Sequence, residues 1–302
     1  MQSVTVLAPA KVNLSLAICG IRQDGYHNIS TIMQAVNLTD KLEFKHSPSL
    51  KLVTNSDNLG PTDTNLIMQA AIYLKEISNF KSGAFISLNK KIPISAGLGG
   101  GSSDAAAALI GLNLLWNTNL SFDELCNLGS KLGSDVPFFF HGGTAIATKK
   151  GDELSRLPTP YEKWALIIEN QKEIISAKTQ KMYSFLKPEH YSLNNEPTER
   201  IKRLLFNCKP IFANTFNTFD TVAPLMYQNY HEIKKLAMKI GIHNLTLAGS
   251  GPSFFSLFND HSQGISIQDE LLRHGVKSHL VNLLEPENVD LSTGPSNLVS
   301  FV

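Results

Sequence analysis

The run Pro93-Ile94-Ser95-Ala96-Gly97-Leu98-Gly99-Gly100-Gly101-Ser102-Ser103-Asp104, with four alanines directly behind it, constrains this chain more than any other stretch. Four of the five residues from Gly97 to Gly101 are glycine. Such a run forfeits side-chain packing and costs backbone entropy, so it suits neither a strand nor a helix interior. It suits a loop whose exposed N–H groups wrap an anion closely. Ser102, Ser103 and Asp104 are helix-capping types, and alanine is the strongest helix former. A glycine loop feeding a helix N-terminus offers unpaired N–H groups and the positive end of the helix dipole, which together make a phosphate site. The plainer alternative is a flexible turn between a strand and a buried, alanine-rich helix.

Two common phosphate loops are excluded. No Gly-Lys-Ser or Gly-Lys-Thr closes the run, so it is not a Walker A loop. Ser102 stands where the dinucleotide fingerprint needs its third glycine, and no acidic residue beyond it is evidently placed for a ribose.

A chain of 302 residues exceeds what one hydrophobic core usually serves, so two domains are expected. Leu157-Pro158-Thr159-Pro160 interrupts regular structure and sets the expected division at 1–157 and 158–302. The first part reads as strands over 4–8, 12–18, 29–36 and 41–45, with Asp24-Gly25 as a tight turn. A helix follows Thr64-Asn65, then a strand over 85–88 leads to the glycine loop and a helix over 104–116. Ser121-Phe122-Asp123-Glu124 opens another helix as a capping box, and 144–148 reads as a hairpin strand. The second part reads as a strand over 164–168 and helices near 176–186, 198–205 and 219–240. Strands over 245–247 and 254–258, a helix over 267–273 and a strand over 279–283 complete it. That order is α+β, of ferredoxin-like type.

A net charge of +1 gives no support for a nucleic-acid or membrane-surface partner. No apolar run approaches a membrane span, and the N-terminus lacks the pattern of a signal peptide. Cys19, Cys126 and Cys208 are odd in number and far apart, which fits a reducing cytoplasm and suggests neither a zinc site nor a redox pair.

Several residues invite a chemical reading beside a structural one. Lys11 sits among apolar neighbours in Pro9-Ala10-Lys11-Val12-Asn13, either as a solvated strand position or as a functional cation. Asp135, in Gly133-Ser134-Asp135-Val136-Pro137, is either a turn or cap residue or a base beside a strongly apolar segment. A phosphoryl donor in the glycine loop needs an acceptor-side pair, with Asp135 taking a hydroxyl proton and Lys11 steadying charge. Tyr26 and His27 are ordinary hairpin aromatics, or a ring to stack on a base and a partner for its edge. Gly249-Ser250-Gly251 is a hairpin connection, or a backbone pressed against a substrate phosphate. The histidines show no His-x-x-x-His spacing, and no Gly-x-Ser-x-Gly is present, so zinc and serine-hydrolase chemistry have no support.

Pro-Ala-Lys-Val-Asn near the start, Pro-Ile-Ser-Ala-Gly-Leu-Gly-Gly-Gly-Ser-Ser in the middle and Leu-Ala-Gly-Ser-Gly-Pro-Ser near the end resemble the three motifs of the GHMP small-molecule kinases. Arg22-x-Asp24-Gly25-Tyr26-His27, Thr64-Asn65-Leu66-Ile67 and Gly133-x-Asp135-Val136-Pro137-Phe138 resemble the branch acting on 4-diphosphocytidyl-2-C-methyl-D-erythritol. The resemblance runs from about residue 8 to 285; the tail, 291–302, extends past it. It implies an N-terminal domain like ribosomal protein S5 domain 2, a ferredoxin-like C-terminal domain, and a cleft between them for both substrates. It implies transfer of the ATP γ-phosphate to the 2-hydroxyl of the cytidyl substrate, a step of non-mevalonate isoprenoid precursor synthesis. By the same resemblance Lys11 and Asp135 match the catalytic pair. Asn65 and Pro93 to Ser103 match the ATP side, with Mg²⁺ near the Ser102 or Ser103 hydroxyl. Asn13, Tyr26 and His27 match the cytidyl side, Gly249, Ser250 and Gly251 are expected to bind the substrate through their backbone, and Tyr183 is the expected aromatic opposite Tyr26 on the cytosine. The expected partners are therefore small molecules, and the expected assembly a monomer or weak homodimer. Another GHMP kinase with a different alcohol acceptor, or a silent nucleotide-binding relative, are the alternatives; intact Lys11 and Asp135 argue against the silent one.

Overall fold

The computed structural model describes residues 3–56, 59, 64–151, 153–170, 175–286 and 299–301. It begins with two long antiparallel strands, β1 (Ser3–Ile21) and β2 (His27–Ser47). Each was expected as two shorter strands. Irregularities at Pro9/Ala10 and Asn13/Ser15 are absorbed as bulges, so one bent ribbon runs through. β3 (Lys51–Thr54) and α1 (Leu66–Ser78) follow, with the Asn65 side chain capping α1 by accepting from the Ile67 N–H at 2.9 Å. β4 (Gly83–Asn89) leads through the glycine loop into α2 (Gly100–Trp116). α3 (Phe122–Leu132) opens with the capping box of Ser121 and Glu124. α4 (Val136–His141), β5 (Thr144–Lys149) and β6 (Glu153–Arg156) complete this stretch.

β7 (Trp164–Ile168) comes after the Leu157–Pro160 segment, then α5 (Lys178–Ser184), α6 (Glu196–Phe206) and β8 (Phe216–Asn217). The long helix expected over 219–240 is broken. Pro224 has no N–H to donate, and two 3₁₀ turns, Thr218–Thr221 and Ala223–Leu225, precede the shorter α7 (Tyr230–Lys239). β9 (Thr246–Leu247), β10 (Phe254–Phe258), α8 (His261–Arg273), β11 (Ser278–Asn282) and β12 (Val299–Phe301) follow. Of the tail 291–302, only the β12 residues lie within the described part.

Eight strands form the larger sheet, ordered β12-β1-β2-β4-β3, with β5 and β6 branching from β2 and β8 from β1. The bend in β2 explains the branch: Ile29–Gln34 pair with β5, while Lys41–Ser47 pair with β4. The smaller sheet is antiparallel, ordered β11-β7-β10-β9, and uses only strands after Leu157. α2 packs against β1, β2 and α1, and its run of Ala105 to Leu109 is wholly buried, as expected of a helix apolar nearly all round. A second core joins Val12, Leu14 and Ile32 of the ribbon to Ile167, Ile201, Leu205 and Phe255. That core holds the mid-point of β1, with Lys11 and Asn13, against the later part of the chain.

Candidate active site

The glycine loop is anchored on two sides. The Lys11 N–H donates to the Leu98 carbonyl at 2.9 Å, and the Ser253 N–H donates to the Ala96 carbonyl at 3.3 Å. Gly97 lies so close to the Ala248–Gly251 turn that a Cβ there would sit 2.0 Å from the Ala248 carbonyl oxygen. α2 begins at Gly100 rather than at Asp104. Its cap is Gly99, left-handed at φ 72°, which offers no side-chain acceptor. Ser102 and Ser103 are therefore first-turn residues rather than caps. The opening N–H groups of the helix are left for a ligand.

Two cavities meet at this loop. One, of about 600 Å³, is lined by Asn65, Lys90, Pro93 through Ser102 and Asp104. The other, of about 1130 Å³, is lined by Lys11, Asn13, Tyr26, His27, Asp135, Tyr183, Gly249 and Ser250. Gly97, Gly99, Ser102, Lys178, Thr179 and Gln180 line both. Of the two serine hydroxyls, Ser102 faces this junction, while Ser103 is buried with no hydrogen-bond partner. Gly251 contributes a carbonyl that accepts from Lys178.

Lys11 is not a solvated strand position. It is 4% exposed, and its Nζ lies 3.3 Å from Asp135 Oδ2 and donates to Asn13 Oδ1 at 2.7 Å. Asn13 in turn donates to Thr31 Oγ1 at 2.8 Å, and Thr31 to the Ser15 carbonyl at 2.7 Å. The lysine is thus held in one orientation by a chain of bonds along β1 and β2. Asp135 caps the short α4 without a side-chain bond to it, so its carboxylate, 39% exposed, is left to the cavity and to Lys11. Pro137 at the second helical position and the buried Phe138 and Phe140 fix that helix against the core.

On the far side of the same cavity, His27 stacks on Tyr183 with ring centroids 4.5 Å apart. Burial lowers the His27 pKa, favouring the neutral imidazole. Burial, aided by the Asp135 charge, pushes the Tyr183 hydroxyl up to about 12. Tyr183, expected opposite Tyr26 on the cytosine, lines the same cavity as Tyr26, with its ring against His27 and, edge-on, Phe219. Tyr26 is largely exposed, with the Lys150 ammonium 4.6 Å from its ring centroid. Lys150 also pairs with Asp24 at 2.9 Å, tying the Asp24-Gly25 turn to the cavity wall. The turn at Gly249-Ser250-Gly251 is held from three directions. The Asn217 amide donates to the Leu247 and Gly249 carbonyls, Tyr227 donates to the Ser250 carbonyl, and Thr179 bonds the Ser250 hydroxyl.

Sequence reasoning missed a buried charge cluster under the loop. Lys90 Nζ bonds Asp104 Oδ2 at 2.7 Å and also bonds Asp40 Oδ2. Asp40 Oδ1 accepts from the Lys91 and Ile92 N–H groups at 2.5 and 2.9 Å. The cluster therefore grips the strand entering the loop and the helix leaving it. Burial alone would lower the Lys90 pKa, but the two carboxylates hold it above its ordinary value. Burial raises Asp104, whose Oδ1 has no partner. Lys178 was missed as well. The only signal available was a lysine in a short helical pattern, and such residues are usually solvated.

The chain matches the models of the GHMP kinases N terminal domain over residues 65–143 and of the GHMP kinases C terminal domain over 193–277. With the two sheets and the loop-to-helix site, this defines a two-domain α+β GHMP kinase. Curated relatives named 4-diphosphocytidyl-2-C-methyl-D-erythritol kinase share 34% identity in Dehalococcoides mccartyi, over 94% of this chain and 99% of the relative. They share 36% in Bacillus pumilus, over 93% and 97%. A crystal structure of 4-(cytidine 5'-diphospho)-2C-methyl-D-erythritol kinase superposes with a TM-score of 0.77 at 29% identity, covering 92% of this chain and 98% of that one. Homoserine kinase from Cytophaga hutchinsonii shares the fold, with a TM-score of 0.73 at 20% identity over 95% and 97% of the two chains. The chain belongs to the 4-diphosphocytidyl-2-C-methyl-D-erythritol kinase family.

Proposed function

We propose that this chain transfers the γ-phosphate of ATP to the 2-hydroxyl of 4-diphosphocytidyl-2-C-methyl-D-erythritol, a step of non-mevalonate isoprenoid precursor synthesis. The names of its relatives supply the substrate. The observation that carries the chemistry is the Lys11–Asp135 pair at 3.3 Å, in a cavity that opens onto the glycine loop through Gly97, Gly99 and Ser102. Phosphoryl transfer asks the protein mainly for positioning and charge stabilisation. ATP takes the smaller cavity, with its phosphates on the open N–H groups at the start of α2. The cytidyl substrate takes the larger one, with its base beside Tyr26, His27 and Tyr183. Asp135 accepts the proton of the 2-hydroxyl as that oxygen bonds the γ-phosphorus. The bond from the γ-phosphorus to the β–γ bridging oxygen breaks, and ADP leaves with that oxygen. Lys11 offsets the charge that builds between them.

The residues present suit Mg²⁺ as a companion of the nucleotide rather than as a protein-caged ion. Among the described residues no cluster of three or more His, Cys, Asp or Glu could hold a metal. Ser102, which lines the phosphate-side cavity, is the protein group that would face the ion, with the Lys90–Asp104 pair buried beneath the loop. When bound, the ion would neutralise phosphate charge. Among the described residues no helix is long and apolar enough to cross a membrane. The three unpaired thiols support a reducing, cytoplasmic setting.

The test is ADP release with Mg-ATP and the cytidyl substrate, wild type beside Asp135→Asn. Turnover should need both substrates. The variant should lose about 10²- to 10⁴-fold in kcat, the usual worth of a general base, with ATP affinity little changed. Near-normal turnover in the variant would remove Asp135 from the role.

A further inference from the structure

Among the described residues, no acidic group answers the charge of Lys178. This lysine opens α5 and reaches between the two glycine turns. Its Nζ donates to the Ser95 carbonyl at 2.6 Å and to the Gly251 carbonyl. Among the described residues no carboxylate stands within ion-pair distance of it, whereas Lys11, another cation of the cleft, has Asp135 at 3.3 Å. Carbonyls satisfy two of an ammonium's three donors and supply no countercharge. Burial, and then the nearby Lys11, pull the Lys178 ammonium down to about 7, which marks a site short of negative charge. The side chain lines both cavities, at the junction between them. Ser95 also adopts a left-handed backbone, φ 56°, and the lysine bond holds its carbonyl in that unusual orientation.

We propose that Lys178 is a further substrate-contacting residue, whose ammonium binds the γ-phosphoryl oxygens of ATP at the junction of the two cavities. This rests on reading the smaller cavity as the ATP side. The lysine reaches the site from the later part of the chain, opposite Lys11 on β1. Both ammonium groups line the larger cavity, and of the two only Lys178 lines the smaller one as well. An arriving phosphate supplies the missing countercharge, and with it a charge-assisted hydrogen bond.

The test separates γ-phosphate contact from simple support of the loop. Titration calorimetry with Mg²⁺ compares a non-hydrolysable ATP analogue with ADP on wild type, Lys178→Met and Lys178→Arg. Wild type should bind the analogue more tightly than ADP. The methionine variant should lose about 10- to 100-fold in analogue affinity, the worth of one hydrogen bond to a charged group, while ADP affinity stays nearly constant. Arginine should restore most of the preference. Equal losses for the two nucleotides, or no loss for either, would overturn the assignment, since a merely structural lysine affects both alike. Should the methionine variant fail to fold, Lys178→Gln keeps a donor for the carbonyls without the charge and gives the same readout. Turnover of the cytidyl substrate by wild type is measured in parallel. Absence of turnover, with γ-phosphate preference still following Lys178, would overturn the substrate reading and leave this assignment standing.

Discussion

Gly97→Ala puts the geometry of the loop to a numerical test. A Cβ built there lies 2.0 Å from the Ala248 carbonyl oxygen, 2.9 Å from that of Gly251 and 3.0 Å from the Ala248 carbonyl carbon. All three are backbone atoms, so no side chain can swing aside. Ordinary contact begins at 3.4 Å, and 3.4 less 2.0 leaves a separation of about 1.4 Å that the two turns must find. Residue 97 also sits at φ +85°, where an L side chain costs about 1–2 kcal/mol. Overpacking a rigid contact adds about 1–3 kcal/mol, for a total near 2–5 kcal/mol. The displacement falls between Ser95 and Gly251, the two carbonyls that Lys178 bridges, and beside the junction of the cavities. A shift of about 1 Å at a reacting centre costs on the order of 100-fold in rate. The expected result is a clear fall in melting temperature together with a kcat/KM lowered about 100-fold, followed by ADP release. Gly241→Ala is the control, because φ there is +92° but nothing lies within 4 Å. It should lower the melting temperature modestly and leave the rate unchanged. A Gly97→Ala enzyme with wild-type kcat/KM would refute the claim that this contact sets the loop's position.

Tyr26→Ala should raise KM for the cytidyl substrate by about tenfold or more, the worth of one base–aromatic stack, and leave KM for ATP unchanged; equal effects on both substrates would contradict the assignment. Affinity for the ATP analogue should fall as pH rises above 7. The protonated Lys178 is the form that holds an anion, and burial, and then the nearby Lys11, bring the loss of its proton down to about 7; Lys11 in turn pairs with Asp135. Calorimetry from pH 6 to 8.5 checks this. Lys178→Arg, charged throughout, should flatten the dependence, and a parallel slope in the arginine variant would refute it. Asp40→Asn should cost about 1.5–3 kcal/mol in urea unfolding, since the carboxylate serves Lys90 and two backbone N–H groups while fully buried. An unchanged midpoint would show that the charge contributes nothing there.

Local chemistry made much of this molecule legible beforehand. Asn65 and the Ser121–Glu124 box start helices because side chain and backbone satisfy each other within a few residues. The glycine loop and α2 were legible for the same reason, although the helix starts earlier because Gly99 accepts the left-handed cap. Contacts between distant residues were less accessible. A sequence shows Asp40 as one polar residue in a strand, and only the fold brings it to Lys90 and Asp104. Lys178 resembles any surface lysine until α5 carries it to Ser95 and Gly251. The helix expected over 219–240 gives way to two 3₁₀ turns and a shorter helix, because Pro224 has no N–H to donate within it. Aromatic contacts were less legible: the stacking of His27 on Tyr183 joins residues far apart in the chain and has no local signal.

The branching of β1 has a consequence for dissection of the gene. β8 pairs with Ser15 and Leu16, β12 pairs with Val4 to Val6, and the core around Val12, Leu14 and Ile32 is completed by Ile167, Ile201, Leu205 and Phe255. A fragment ending at Leu157 would therefore carry a ribbon with two unpaired edge segments and an apolar face stripped of its cover, the hallmarks of an aggregating polypeptide. Its complement would lack Lys11 and the strand that seats β8. The two halves should behave as obligate mates rather than interchangeable modules. Each evolutionary change along that shared seam has to be tolerated by both.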